Sequence, residues 1–137
     1  MNEQVNVLPG GQMIEEVRFS LAGGATRQGA AIIDSRDWAG SGQADFGDRR
    51  TGFPLLDVAV LAPGNINIVL NYAIVAVPGA EPPVLTFSAR STTAVVGAAW
   101  GFLEGQRITA RFARLDITDT SGVANNNIYL VYFVRGA

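Results

Sequence analysis

The chain has 137 residues, a formal net charge of -2 and no cysteine, which is the length of one domain with neither a disulfide framework nor a basic footprint for nucleic acid. All ten basic residues are Arg, and the absence of Lys, His and Cys removes the imidazole base, the thiolate and amine nucleophiles, the phosphate-loop lysine and the usual zinc and copper ligands. Charged residues make up 16% of the chain, against roughly 25% in an average domain, so an unusual share of surface is left uncharged.

That deficit has two readings. A surface kept against a partner has few charges at its centre. A Gly- and Ala-rich chain from a GC-rich genome, which also favours Arg over Lys, shows the same bias. No stretch of about 18 apolar residues is unbroken. Residues Met1–Gln12 lack the basic start and apolar run of a secretion signal. No membrane contact is expected.

Apolar residues recur with period two and Gly, Pro and Asn interrupt them at short intervals, which predicts strands rather than helices. After a polar arm, Met1–Gln12, the first strand is expected over Met13–Phe19, closed by Ala22-Gly23-Gly24, and a second over Ala30–Asp34. Ser35–Gly52 holds six charged residues and four glycines around Trp38 and Phe46, and reads as a long surface loop. Pro54–Leu61 and Ile66–Val77 follow, joined by the turn Ala62-Pro63-Gly64-Asn65 as a hairpin or a sheet-to-sheet connection. The second of these is apolar on both faces towards its end, which predicts a strand that begins half exposed and finishes buried.

Pro78–Pro83 makes a rigid break. Val84–Arg90 and Val95–Leu103 are expected to pair across Ser91-Thr92-Thr93. In Gln106–Thr118 the apolar parity changes: Ile108, Ala110 and Phe112 share one phase, Ala113, Leu115 and Ile117 the other. A β-bulge between Phe112 and Leu115 would restore a single core face. The last strand, Asn127–Arg135, sets Ile128, Leu130, Tyr132 and Val134 against Tyr129, Val131 and Phe133, so it is either central or covered by a partner. About eight strands at this spacing describe a single-domain, all-β, jelly-roll-like β-sandwich of antiparallel strands over residues 13–137.

The chemistry left open is that of carboxylates. Asp34, Asp37, Asp45 and Asp48 in or beside the long loop can be read as an acid–base pair of glycosidase type, as calcium ligands, or as a solvated loop crossed by Arg–Asp pairs. EF-hand spacing is absent and Arg36, Arg49 and Arg50 stand ready to neutralise them, so the solvated loop is preferred and no metal or cofactor is expected. Asp116 and Asp119, beside Thr118, Thr120 and Ser121, read as turn formers. The expected interface residues are Tyr129, Val131 and Phe133 on the second face of the last strand, Arg107 and Arg111 on one face of their strand, and Trp38 and Phe46 in the loop.

The Lys-free, Cys-free, Gly/Ala-rich composition, the polar arm, the long loop and the closing strand Asn127–Val134 together resemble, at the level of architecture, the small β-sandwich proteins that decorate tailed-phage capsids. That resemblance implies a non-enzymatic virion protein, a decoration or cement subunit binding itself as a trimer and a major capsid or other virion protein, with no nucleic acid partner. The alternative is a carbohydrate-binding module or the receptor-binding head of a fibre, with Trp38, Phe46 or Trp100 as the stacking surface.

Overall fold

The computed structural model describes residues 11–35, 54–82 and 84–135. They form nine strands: β1 Gly11–Leu21, β2 Thr26–Arg27, β3 Ile33–Asp34, β4 Leu55–Leu61, β5 Ile66–Val75, β6 Leu85–Val95, β7 Trp100–Arg107, β8 Phe112–Asp119 and β9 Asn125–Arg135. A front sheet has the order β1-β9-β4-β7 and a back sheet the order β2-β8-β5-β6. β5 runs along one side of β8, so the short β2 and β3 share its other side and together occupy one strand position. Every pairing is antiparallel, and one set nests from the outside of the chain inwards, β1 with β9, β2 and β3 with β8, β4 with β7 and β5 with β6, while β4–β9 and β5–β8 join these pairs into the two sheets. A long hairpin folded across itself into two sheets has this order, which is that of a jelly roll.

The core lies between the sheets and is built by strict alternation. β4 contributes Leu56, Val58 and Val60 and β9 contributes Ile128, Leu130, Tyr132 and Val134, facing Ile66, Ile68 and Leu70 of β5 and Ala113, Leu115 and Ile117 of β8. Each large side chain hidden in this way contributes roughly 1.5–3 kcal/mol. The buried set of the last strand is the one its parity predicts.

Four expectations are corrected. Val84–Arg90 and Val95–Leu103 do not pair: the first belongs to β6, which continues through Ser91-Thr92-Thr93 to Val95 and pairs with β5, and the second covers the end of β6, the turn 96–99 and the first half of β7, which pairs with β4 in the other sheet. The bulge between Phe112 and Leu115 is absent, since β8 pairs with β5 in unbroken register from Phe112↔Ala73 to Asp119↔Ile66. The parity change has another cause: Gln106 and Arg107 end β7 in the front sheet, and 108–111 cross to the back sheet, where inward is the opposite phase. β5 also ends exposed rather than buried, with Ile74 at 71% and Val75 at 41% exposure, because the β5–β6 hairpin runs past the end of the core. Finally, Asp116 is no turn residue but a member of β8.

A bulge does occur in β1, where the register shifts between Val17 and Phe19 and Arg18 takes φ 63°. It moves the inward phase from Glu16 to Phe19 and Leu21, all three buried. β1 starts at Gly11, two residues before the expected strand; the remainder of the arm and the loop residues Trp38 and Phe46 lie outside the described residues.

One end of the sandwich is locked by hydrogen bonds between connections. Asp119 Oδ2 accepts from the N–H groups of Gly24 (2.8 Å) and Gly122 (2.9 Å), and Oδ1 accepts from Ser121 Oγ (2.6 Å) and Asn125 Nδ2 (3.1 Å). Asn125 Oδ1 in turn accepts from Gly64 N–H at 3.0 Å, and Asn65 Oδ1 from Gly97 N–H at 2.8 Å. Four connections are thereby tied together, which leaves the opposite end, where β5–β6 projects, to differ in character.

Candidate functional site

The two outer faces of the sandwich differ in what they leave exposed. The back face is closed by its own side chains. Asp116, buried on this outer side of β8, receives Arg114 Nε at 2.9 Å and Nη2 at 3.1 Å, Asn71 Nδ2 at 2.9 Å and the Gly29 N–H at 2.9 Å. The Arg114 guanidinium lies 4.1 Å over the Phe87 ring, and that of Arg111 lies 4.5 Å over Phe112 while pairing with Asp34 at 3.4 Å. Cation–aromatic and charge-assisted contacts of this kind satisfy the groups that make them.

The front face is different. Tyr129, Val131 and Phe133 of β9 project outward, flanked by Met13 of β1, by Leu61 and Ala59 of β4, and beyond them by Trp100 and Phe102 of β7. Trp100 is 47% and Phe102 58% exposed. Their rings lie 6.2 Å apart and 20° from parallel, and Trp100 meets Tyr129 edge-on at 5.6 Å. The Tyr129 hydroxyl donates to Glu15 Oε2 at 3.0 Å; this bond to an anion raises the Tyr129 pKa, with burial adding to it.

Beside Phe102 the face sinks into an open groove of about 590 Å³, with Met13, Val131 and Phe133 among its walls and Asp57 and Arg135 on its polar side. A bulge between β4 and β7 makes room for it: Gly105, at φ 64°, carries no side chain, and its N–H donates to Asp57 Oδ1 at 2.7 Å. Burial raises the Asp57 pKa, but the bond from Arg135 Nε at 3.0 Å, the Gly105 N–H and the Arg135 charge outweigh it and hold the carboxyl below its ordinary value.

Of the expected interface residues, the fold therefore gathers Tyr129, Val131 and Phe133 on one face. Arg107 and Arg111 do not share a strand face: Arg107 closes β7, its carbonyl accepting from Tyr72 Oη at 3.1 Å, whereas Arg111 sits across the crossover on the back side. Phe102 and Met13 escaped the sequence reading. The signal for Phe102 was its position two residues after Trp100, which puts both on one side of a strand.

Among the described residues the buried carboxylates Glu16, Asp116 and Asp119 each accept several hydrogen bonds. Glu16, buried under β1, takes Arg27 Nε at 3.2 Å, Ala30 N–H at 3.0 Å and Tyr132 Oη at 3.2 Å. Among the described residues no group of three or more Asp or Glu side chains is placed to hold a metal ion.

No family model matches the chain, and no curated protein does. Among solved structures it is similar to PirA, at TM-score 0.41 and 10% identity over 90% of this chain and 84% of that one. It is also similar to a Bacillus endospore appendage protein, described as a novel family of disulfide-linked pili, at TM-score 0.40 and 14% identity over 98% of this chain and 97% of that one. Neither is described as a capsid decoration protein, and similarity at that level bears on function in neither case. This chain, without cysteine, has no means of making a disulfide link.

Proposed function

We propose that the protein is a non-enzymatic structural subunit that works in an assembly of many copies, with the front face as its contact surface. The observation that carries this is the contrast between the two outer faces: the back face is satisfied by its own Arg, Asp and aromatic side chains, while the front face holds Trp100 and Phe102 about half exposed beside Tyr129, Val131 and Phe133. Contiguous apolar surface of this kind marks an interaction site on a soluble domain. The low charge of the chain supports the same reading, because it removes the repulsion that keeps monomers apart.

In its specific form the reading is a decoration or cement subunit of a viral particle, trimeric and seated on a shell protein. Sedimentation of the purified protein tests the general form, and co-purification with a high-mass capsid tests the specific one. A species that stays monomeric at roughly 100 µM, where even a contact with Kd near 10 µM is mostly formed, refutes self-assembly.

A second reading is favoured by one observation, the near-parallel pair Trp100 and Phe102, which offers aromatic faces of the sort that stack on sugar rings. Binding to a glycan array that is lost in Trp100→Ala would support it over assembly.

A further inference from the structure

We infer that the partner on the front face is a second copy of this chain, which inserts the tip of its β5–β6 hairpin into the groove, so that copies join head to tail. The inference rests on the assembly reading and names its partner and contact.

The tip carries four exposed aliphatic side chains: Ile74 at 71%, Val75 at 41%, Val77 at 48% and Val84 at 47%. It is a built element, since Ala76 N–H donates to Val84 O at 2.6 Å, Ala80 N–H donates to Val77 O at 3.3 Å, and Val75 pairs with Leu85 in the ladder. The loop sequence holds three prolines, Pro78, Pro82 and Pro83, whose rings restrict the backbone. None of these residues lines the groove in its own chain. The molecule thus has a projecting apolar element on its back sheet and an apolar recess on the outside of its front sheet.

Area per copy favours a head-to-tail arrangement, because each copy then buries two apolar surfaces, its tip and its groove, rather than one. The apolar part of the front face spans four strands and the five residues from Tyr129 to Phe133, on the order of 300 Å². A stable pair buries about 800 Å² on each partner. Two front faces set together would use that patch once and leave both tips in water. Inserting the tip joins the two apolar surfaces, and each copy makes two such contacts, one through its tip and one through its groove. Charge does not drive the contact: Glu81 is the one charged residue between Ile74 and Leu85, and on the groove wall Arg135 is already paired with Asp57, with Glu104 beside them, so the docking is apolar and Glu81 stays at its solvated rim. A contact between unlike patches closes into a ring when the rotation between copies permits, and a ring of three is the trimer that the resemblance to capsid decoration proteins implies.

The absence of cysteine makes the test direct. Val77→Cys in one preparation and Glu104→Cys in another are mixed and oxidised, and each is oxidised alone. Docking raises the thiols to an effective concentration near millimolar, so at about 10 µM the mixture is expected to cross-link on the order of a hundredfold faster than either variant alone. Cross-linking of Glu104→Cys with itself as fast as the mixture shows a face-to-face contact; cross-linking of Val77→Cys with itself shows a tip-to-tip one. Either overturns the inference and leaves the assembly reading standing. Wild-type protein that sediments only as a monomer removes both. As a second variant, Ile74→Ser with Val77→Ser is expected to dissociate the assembly while leaving the urea midpoint of the monomer unchanged; assembly that survives this pair overturns the inference.

Discussion

Asp119 accepts a hydrogen bond from the backbone N–H of Gly24 at 2.8 Å, across 95 positions of sequence, and so fastens the β1–β2 turn to the end of β8. The same carboxylate holds the start of the β8–β9 connection through Gly122 and Ser121. The Ser121 hydroxyl and the Gly24 N–H, with Gly122 and Asn125, outweigh burial and hold Asp119 well below the usual carboxylate range. A carboxylate with a depressed folded-state pKa gives its full stabilisation above its unfolded value, near 3.9, and loses it as the pH falls below that. Asp119→Asn is therefore expected to be less stable than wild type at pH 7 and to show a shallower loss of stability below about pH 4. Urea midpoints measured across that range check it; parallel acid limbs for the two proteins would refute it.

The same end of the sandwich predicts a sharp difference between two glycines. A Cβ on Gly97 would stand 2.6 Å from Pro63 O and from Gly64 C, both backbone atoms that cannot turn aside. Gly97→Ala is expected to lose about 1–3 kcal/mol, as overpacking does. Gly24 has open space around it but sits at φ 76°, so Gly24→Ala is expected to cost about 1–2 kcal/mol through backbone strain alone. The discriminating step is Gly→Asn: an Asn tolerates the left-handed region and recovers most of the loss at position 24, and recovers none at 97. Chemical denaturation of the four variants measures it.

Tyr72 bridges the crossover between the sheets, donating to Arg107 O at 3.1 Å and accepting from the Thr109 N–H at 3.0 Å. Tyr72→Phe keeps the ring against the core and removes both bonds, at an expected cost of about 1–2 kcal/mol. Amide exchange at Thr109 should quicken in the variant more than global unfolding accounts for. Equal protection would mean that the hydroxyl does not hold the crossover.

The exposed aromatic pair predicts a separation of association from folding. Trp100→Ser with Phe102→Ser acts on side chains already about half in water, and is expected to shift the unfolding midpoint little while abolishing self-association in sedimentation. Ile68→Ser, at 1% exposure in the core, is expected to do the reverse and cost several kcal/mol. A Trp100/Phe102 variant that associates as wild type does would remove the front face from the contact.

Local alternation is enough to place Ile128, Leu130, Tyr132 and Val134 on one face and Tyr129, Val131 and Phe133 on the other, because side chains of a strand point to opposite sides whatever the strand pairs with. All-β architecture and the missing chemistry of His, Cys and Lys are equally local facts. Partner choice is not. A strand with one buried face looks the same whether its neighbour in sequence pairs with it or faces it across the core, so β6 and β7 were expected to pair and instead lie in opposite sheets. Likewise a change of phase marks either a bulge or a crossover; at Arg18 it is a bulge with register shifted, and at 108–111 it is a crossover. The apolar end of β5 shows the same limit. Hydrophobicity reports what a segment would gain by burial, while only the length of the opposing strands determines whether anything is there to bury it, and Ile74 and Val75 run beyond them into water.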